Sequence, residues 1–478
     1  MRDICIIIIF LAGIAILASC ERNQFTTDPS DKLEFSNDTV QFDTIFTSIG
    51  STTKYFTVIN PHNKDIEVDR ISLARGKNSV YRLNIDGYQA TSLSDVHIPA
   101  GDSIFIFVEL TINPSANDMV EKDSVQFSVN GNSQDVKLVA FGQNVHLIDG
   151  DVISNDTTWT DDKPFLIYNS VLIDENANLQ IQAGTQLHFH YGSSMLVEGS
   201  LKTYGTLDQP VVFQGDRLEE SYQDEPGQWG AWLELENGGL YILGGLHFLT
   251  GSKNNELNYT EIKNSIVGLR ADSVVTPGTP TVKMKNCIVQ HMNVAGLYGA
   301  GAHIEAENSV FANCGQYTAA LLYGGKYDFK HCTFANYFTG SRQNSSLVMN
   351  NYFTYEGEGG TILDARPFEA SFGNCIIHGN LEEELDIDGV EEAGFDYVFN
   401  HCLLKTQRNT GSEQYISIIR NEDPEFIDKY DTYDFRLDSL SPALNQGDLD
   451  IANEVPLDYD GYSRLSGEGP DLGAYERN

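Results

Sequence analysis

The sequence predicts an all-β chain in two parts, a β-sandwich followed by a parallel β-helix solenoid. Three observations predict it. Residues 32–147 alternate apolar and polar side chains in short runs broken by turn signals. From 148 onward an Asn or His followed by a small residue recurs about every 23 residues. Glycine is frequent, 42 against 14 prolines, which suits many short strands joined by tight turns. A length of 478 residues allows two or three domains or one long repeat array.

Composition excludes several classes. Lys and Arg number 30 and Asp and Glu 68, a formal charge of −38. Nucleic acid, which needs a basic footprint to displace counterions, is therefore excluded as a partner, and so is adhesion to anionic lipid through protein charge. Hydrophobic residues at 41% and aromatics at 11% are enough for a core, which excludes global disorder.

Residues 1–19 read as a signal peptide. Arg2 supplies the positive charge, and residues 4–18 form an apolar run shorter than the roughly 20 residues a spanning helix needs. The run closes on Leu17-Ala18-Ser19-Cys20, which resembles the bacterial lipobox. That resemblance implies cleavage before Cys20, acylation of its thiol and a lipid anchor in the membrane. Residues 20–31 are then a polar lipidated tether. Residue 21 is Glu rather than Asp, so no inner-membrane retention mark is present, and the implied location is the outer membrane, with the cell surface and the periplasmic face both open. Beyond Cys5 and Cys20 the cysteines are Cys287, Cys314, Cys332, Cys375 and Cys402; their wide spacing without a C-x-x-C pair argues against zinc and redox motifs.

Within 32–147 the runs 55–59, 65–68, 103–110, 124–129 and 136–140 read as strands, separated by Asn60-Pro61, Ala100-Gly101-Asp102 and Asn130-Gly131. Val58-Ile59-Asn60-Pro61 and Ile98-Pro99-Ala100-Gly101-Asp102 resemble the immunoglobulin-like domains of the abnormal-spindle and hydin type, which implies a spacer or adhesive stalk.

The repeat over 148–436 is marked by Asn264-Ser265, Asn286-Cys287, Asn308-Ser309, His331-Cys332, Asn351-Tyr352, Asn374-Cys375 and His401-Cys402, at intervals of 22, 22, 23, 20, 23 and 27 residues. Leucine-rich repeats share this period, but their leucine spacing is missing, which leaves three short strands per turn. Ser265, Cys287, Ser309, Cys332, Cys375 and Cys402 are then expected to stack inside the tube at about 4.8 Å, each behind a corner residue that tolerates left-handed geometry. Ala183-Gly184-Thr185, Val197-Glu198-Gly199-Ser200-Leu201 and Gly227-Gln228-Trp229-Gly230 resemble the early coils of right-handed parallel β-helix proteins of the pectin-lyase-like fold. Asp423-Pro424-Glu425-Phe426, Ser441-Pro442-Ala443, Asp458-Tyr459-Asp460-Gly461, Arg464 and Asp471-Leu472-Gly473-Ala474-Tyr475-Glu476 resemble the C-terminal end, here 437–478, of bacterial surface β-helix proteins with a choice-of-anchor tail. Cys20 is expected to supply the anchoring that such proteins otherwise append.

The resemblance implies a Gram-negative cell-envelope lipoprotein that acts as a non-catalytic binding or structural surface, toward polysaccharide or another envelope protein. The rival is a polysaccharide lyase or glycoside hydrolase on the same scaffold. The Gly-His-Gly and Arg-Ile-Lys steps of polygalacturonase-like members do not occur, and the one Asp-Asp pair, Asp161-Asp162, precedes the repeats. Arg366-Pro367 is a fragment of the pectate-lyase arginine step, with no second Arg within five residues. A polyuronate lyase also needs a basic groove, which a charge of −38 opposes.

The remaining candidates are isolated. His188 and His190 share one strand face without a nearby third metal ligand, and a Cys/His metal site using His331 and His401 would need coils three apart to converge. Asp458 and Asp460 have the spacing of a calcium-loop fragment without the other loop ligands, so no cofactor is expected and Ca2+ is the one candidate. Trp229, Trp232 and Tyr241 suit an aromatic platform or burial under a loop. Asp-Ser/Thr triplets at Thr39, Thr44, Ser103, Ser124, Thr157, Ser273 and Ser439 resemble the O-glycosylation sequon of some Gram-negative anaerobes, which implies modification where they are exposed.

Overall fold

A computed structural model describes residues 25–114, 119–234, 240–272, 278–357 and 360–477. Residues 1–19, expected to be a signal peptide, together with Cys20 and Ser273 lie outside these residues. The chain divides into two units, one ending at Val145 and one beginning at His146. Nearly all regular structure is strand; Leu449–Glu454 is the α-helix among the described residues.

The first unit holds two five-stranded sheets around one apolar core. One sheet runs in the order Glu34–Phe35, Lys54–Ile59, Ser103–Leu110, Tyr81–Ile85 and Tyr88–Gln89. The other runs Thr39–Phe46, Asn132–Gln143, Val120–Val129, Ile66–Leu73 and Ser92–Ile98. The alternation in sequence sets the faces. In Ser103–Leu110 the side chains of Ile104, Ile106, Val108 and Leu110 are buried while Phe105 and Phe107 face out. The pairing is antiparallel except where Thr39–Phe46 runs parallel to Asn132–Gln143.

The second unit winds into three long parallel sheets of 11, 9 and 10 strands. Each turn of chain gives one strand to each sheet in rotation, as in Ile288–Met292, Ala295–Ala300 and His303–Glu307. This is a parallel β-helix. Side chains of like kind stack along the tube, so Phe329, Phe372, Phe399 and Tyr415 form a column with ring centroids 5.1, 4.8 and 5.5 Å apart.

The corner from the third sheet to the first carries the expected ladder. Tyr259, Asn286, Asn308, His331, Asn374 and His401 all adopt left-handed backbone there. The residues that follow, Thr260, Cys287, Ser309, Cys332, Cys375 and Cys402, are fully buried in register. Cys332 N donates to Cys375 Sγ at 3.4 Å and Cys287 N to Ser309 Oγ at 3.2 Å. Outside them Asn308 Nδ2 donates to Asn286 Oδ1 at 3.1 Å.

Two of the expected steps are corrected. Ser265 is not a rung: Asn264-Ser265 lies between Thr260–Lys263 of the first sheet and Val267–Ala271 of the second, and Thr260 takes the rung instead. Left-handed residues also serve along that side, at Asn264, His291 and Asn313, so an Asn-plus-small pair does not tell one corner from the other. Asn351 follows Leu347–Asn350 of the second sheet and leads into a hairpin, Tyr352–Gly357 with Gly360–Ala365. A second hairpin, Ala231–Glu234 with Leu240–Gly244, interrupts an earlier coil.

The last parallel strand is Ile419–Arg420. Beyond it the chain folds back along the outer face of the first sheet. Phe426, Phe435, Leu437, Leu472 and Ala474 pack there on Val310, Ala312, Ala335, Ile376 and Leu403. Polar contacts fix this return, with Asp448 N donating to Asn374 Oδ1 at 2.7 Å and Ala474 N to Thr333 Oγ1 at 3.0 Å.

Candidate functional site

An open cleft of about 680 Å3 lies beside the outer face of the first parallel sheet in its early coils. Ligand sites commonly have volumes of this order. Inward packing of Phe165, Ile167, Leu187, Phe189 and Phe213 sets the register, which brings Tyr168, His190 and Asp216 side by side on successive coils. The Tyr168 and His190 rings stack at 4.1 Å, 6° from parallel. His190 Nδ1 lies 2.7 Å from Asp216 Oδ2. The Asp216 side chain is only 11% exposed and His190 45%. Burial raises the Asp216 carboxyl above its ordinary value, against the downward pull of the His190 hydrogen bond. Burial also pushes the Tyr168 phenol up to about 12.

The loop after Asp216 forms the facing wall. The Arg217 guanidinium sits 3.8 Å from the centre of the Tyr222 ring and is held by Glu219 at 3.0 Å. The loop is pinned at its far end. Asn264 Nδ2 donates to Gln223 O and Glu225 O, both at 3.0 Å, and Gln228 N donates to Asn264 O at 2.7 Å. Trp229 is fully buried, stacked on Phe189 at 4.2 Å, and its Nε1 donates to Lys263 O at 2.8 Å. Tyr191 stands at the rim, 73% exposed. The cleft thus offers ring faces, a fixed cation, and a half-exposed imidazole braced by a desolvated carboxylate. These groups can seat a polyhydroxylated ligand, and the His–Asp pair is of a kind that can also move a proton.

The structure separates several residues that the sequence grouped. His188 and His190 do face the same way, but His188 is buried with Nδ1 3.4 Å from Gly215 O, and burial pushes it down to about 4, whereas His190 turns to Asp216. Trp229 is core, while Trp232 is 41% exposed on the hairpin. Tyr241 lies 4.0 Å from the Arg270 guanidinium and donates to Asp272, which also meets His247 at 2.8 Å. Arg366 stacks 3.8 Å over Tyr323. Asp162 lies 3.1 Å from His146. His331 and His401 lie on the ladder corner with Asn374 between them.

The two calcium candidates are engaged by the protein. Asp458 accepts from Tyr462 N at 2.6 Å and Glu476 N at 2.7 Å, and Asp460 accepts from Arg436 at 2.8 and 2.9 Å. Among the described residues no group of three or more His, Cys, Asp or Glu is arranged to hold a metal. Of the sequon residues, Ser439 is exposed, Ser124 is buried, and Thr39, Thr44, Ser103 and Thr157 are half-buried in strands.

Asp216, Arg217 and Tyr222 were not singled out from sequence. Asp216 stands 26 residues beyond His190, and only the coil register, read through Phe189 and Gly215, makes them neighbours.

No protein family matches the chain, and no curated protein does. Among solved structures, a family 123 glycoside hydrolase from Clostridium perfringens is similar at 8% identity over 24% of this chain and 26% of that one, with a TM-score of 0.18. The Dettilon tailspike protein is similar at 9% identity over 59% and 62%, with a TM-score of 0.27. This chain spans less than two thirds of either neighbour, and likeness at this level carries no argument about activity.

Proposed function

We propose that the chain is an outer-membrane lipoprotein, anchored through Cys20, whose right-handed β-helix holds a non-catalytic polysaccharide-binding cleft. In this reading the first unit is an immunoglobulin-like spacer of the abnormal-spindle and hydin type, supported by its two-sheet core and the parallel pairing of Thr39–Phe46 with Asn132–Gln143. The observation that carries the binding role is the cleft wall itself. Tyr191, the Tyr222–Arg217 pair and the His190–Asp216 pair surround one open volume on a scaffold of stacked coils. Rigid elements that present aromatic faces beside fixed hydrogen-bonding groups suit sugar rings, which expose C–H faces and hydroxyls together.

The second reading is a glycan-cleaving enzyme, favoured by the raised Asp216 carboxyl next to His190. Electrophoresis of the mature protein through gels containing laminarin, xylan, mannan or polygalacturonate separates the two. Retardation without new reducing ends supports binding. New reducing ends or unsaturated-uronate absorbance supports the enzyme.

A further inference from the structure

We propose that the first unit carries a separate binding site for a neutral oligosaccharide on the outer face of its sheet containing Lys54–Ile59, Ser103–Leu110 and Tyr81–Ile85. Three rings project from this face. Tyr55 is 59% exposed, Phe105 45% and Phe107 37%, unusual for side chains that folding would otherwise bury. They form one cluster. Tyr55 lies across from Phe107 in register at 5.9 Å and 5.8 Å from Phe105, and Phe105 and Phe107 stack at 6.3 Å. None is needed for the core, which the inward neighbours Phe56, Ile104, Ile106 and Val108 fill.

The chemistry beside the rings selects the ligand. Phe107 forms a wall of a cleft of about 750 Å3 whose other walls include Arg82, Asn84, Gln89, Thr53 and Glu109. Two amides, a hydroxyl, one cation and one anion line it. Arg82 and Glu109 are cross-strand partners, so the cleft has no net charge of its own. Asn84 Oδ1 has no hydrogen-bond partner among the described residues, which leaves an acceptor that a ligand hydroxyl can satisfy once the amide turns outward. Thr53 Oγ1 donates to Glu109 at 2.6 Å and Arg82 Nη1 to Thr111 Oγ1 at 3.0 Å, so the acceptor that a purely apolar partner would leave unpaired is Asn84 Oδ1, and a polyanion would meet a chain of charge −38. A saccharide matches both halves of the face, its C–H surface on the rings and its hydroxyls on the amides. This site stands on its own observations and does not require the β-helix cleft to bind anything.

The test uses the mature full-length chain and calorimetric titration with cellohexaose, xylohexaose, mannohexaose and laminarihexaose, with trigalacturonate as the charged control. At least one neutral hexaose should bind with a Kd below about 1 mM, and trigalacturonate should not. Tyr55→Ser or Phe107→Ser should weaken that binding at least about tenfold with an unchanged melting temperature, and Leu440→Ser, at an 83%-exposed position of the second unit, should leave it unchanged. Absence of binding by all four hexaoses, or binding indifferent to both the Tyr55 and the Phe107 substitution, would overturn the proposal. So would a concentration-dependent dimer in sedimentation that Tyr55→Ser dissolves, since the face would then be covered by a second copy.

Discussion

Arg464 Nη2 donates to Asn308 Oδ1 at 2.8 Å across 156 residues of sequence, so the C-terminal segment grips the corner ladder of the β-helix directly. The same guanidinium meets Glu476 at 2.7 Å and the carbonyl oxygens of Gly473 and Ala474 at 3.1 and 3.0 Å, with no exposed surface. Removing one partner of a buried charge pair leaves the other desolvated and uncompensated. Arg464→Ala should therefore lower stability by about 3–5 kcal/mol, read from the denaturant midpoint. It should also expose residues 421–477 to proteolysis before the coils.

The thiol column should be chemically silent in the native state. Burial pushes the Cys287 thiol of the column up to about 12, as it does that of Cys314 outside the column, and Cys375 is raised as well, so little thiolate is available. Alkylation of all five described cysteines should require unfolding. Cys332→Arg should cost more than about 4 kcal/mol because it buries an unpaired charge between coils, and Cys332→Ser about 1 kcal/mol. Rapid native-state labelling would show that the column faces solvent.

The column also shows what was legible in sequence. Left-handed corners demand Asn or His, and a tight interior demands Ser, Thr or Cys, so the coil rhythm is written in residue types. Which corner a pair occupies is not. Asn264-Ser265 resembles Asn286-Cys287 because both corners make the same backbone demand, and the two hairpin insertions shift the count between rungs. The partners of the tail residues lie far away in sequence, as Asn308 does from Arg464. The cleft was half visible. His190 stood out beside His188, whereas Asp216 becomes its neighbour only through the coil register.

Stability should fall as the solution is acidified. Burial pushes His188, His291 and His378 down to about 4 from an ordinary value near 6.5, and His331 lies well below that value. The unfolded chain therefore takes up these protons first. Their contribution is fully present above about 6.5 and is lost as pH falls through about 4. Glu476 acts in the opposite sense, since burial raises its carboxyl to about 7 from an ordinary 4.5. Its contribution is present below 4.5 and lost as pH rises through about 7. His378→Asn should flatten the acid limb of a melting-temperature profile, and Glu476→Gln should flatten the limb between pH 4.5 and 7.

Cys20→Ala should release the protein from the membrane fraction and abolish incorporation of labelled fatty acid. Unchanged membrane association would remove the lipoprotein assignment. Among the described sequon residues Ser439 is the accessible one, next to an 83%-exposed Leu440. Glycopeptide mass spectrometry of protein from its own envelope should find modification there and none at Ser124.

The central claim is that the cleft binds polysaccharide without cleaving it. The most direct measurement is affinity electrophoresis of the mature chain and of its Tyr191→Ala and Asp216→Asn forms in laminarin, xylan, mannan and polygalacturonate, with reducing ends assayed in the same gels. Retardation of the wild-type chain by at least one polymer is expected, weakened about tenfold in Tyr191→Ala, with no new reducing ends from any form. Reducing ends produced by wild type and lost in Asp216→Asn, or retardation that Tyr191→Ala leaves untouched, would contradict it.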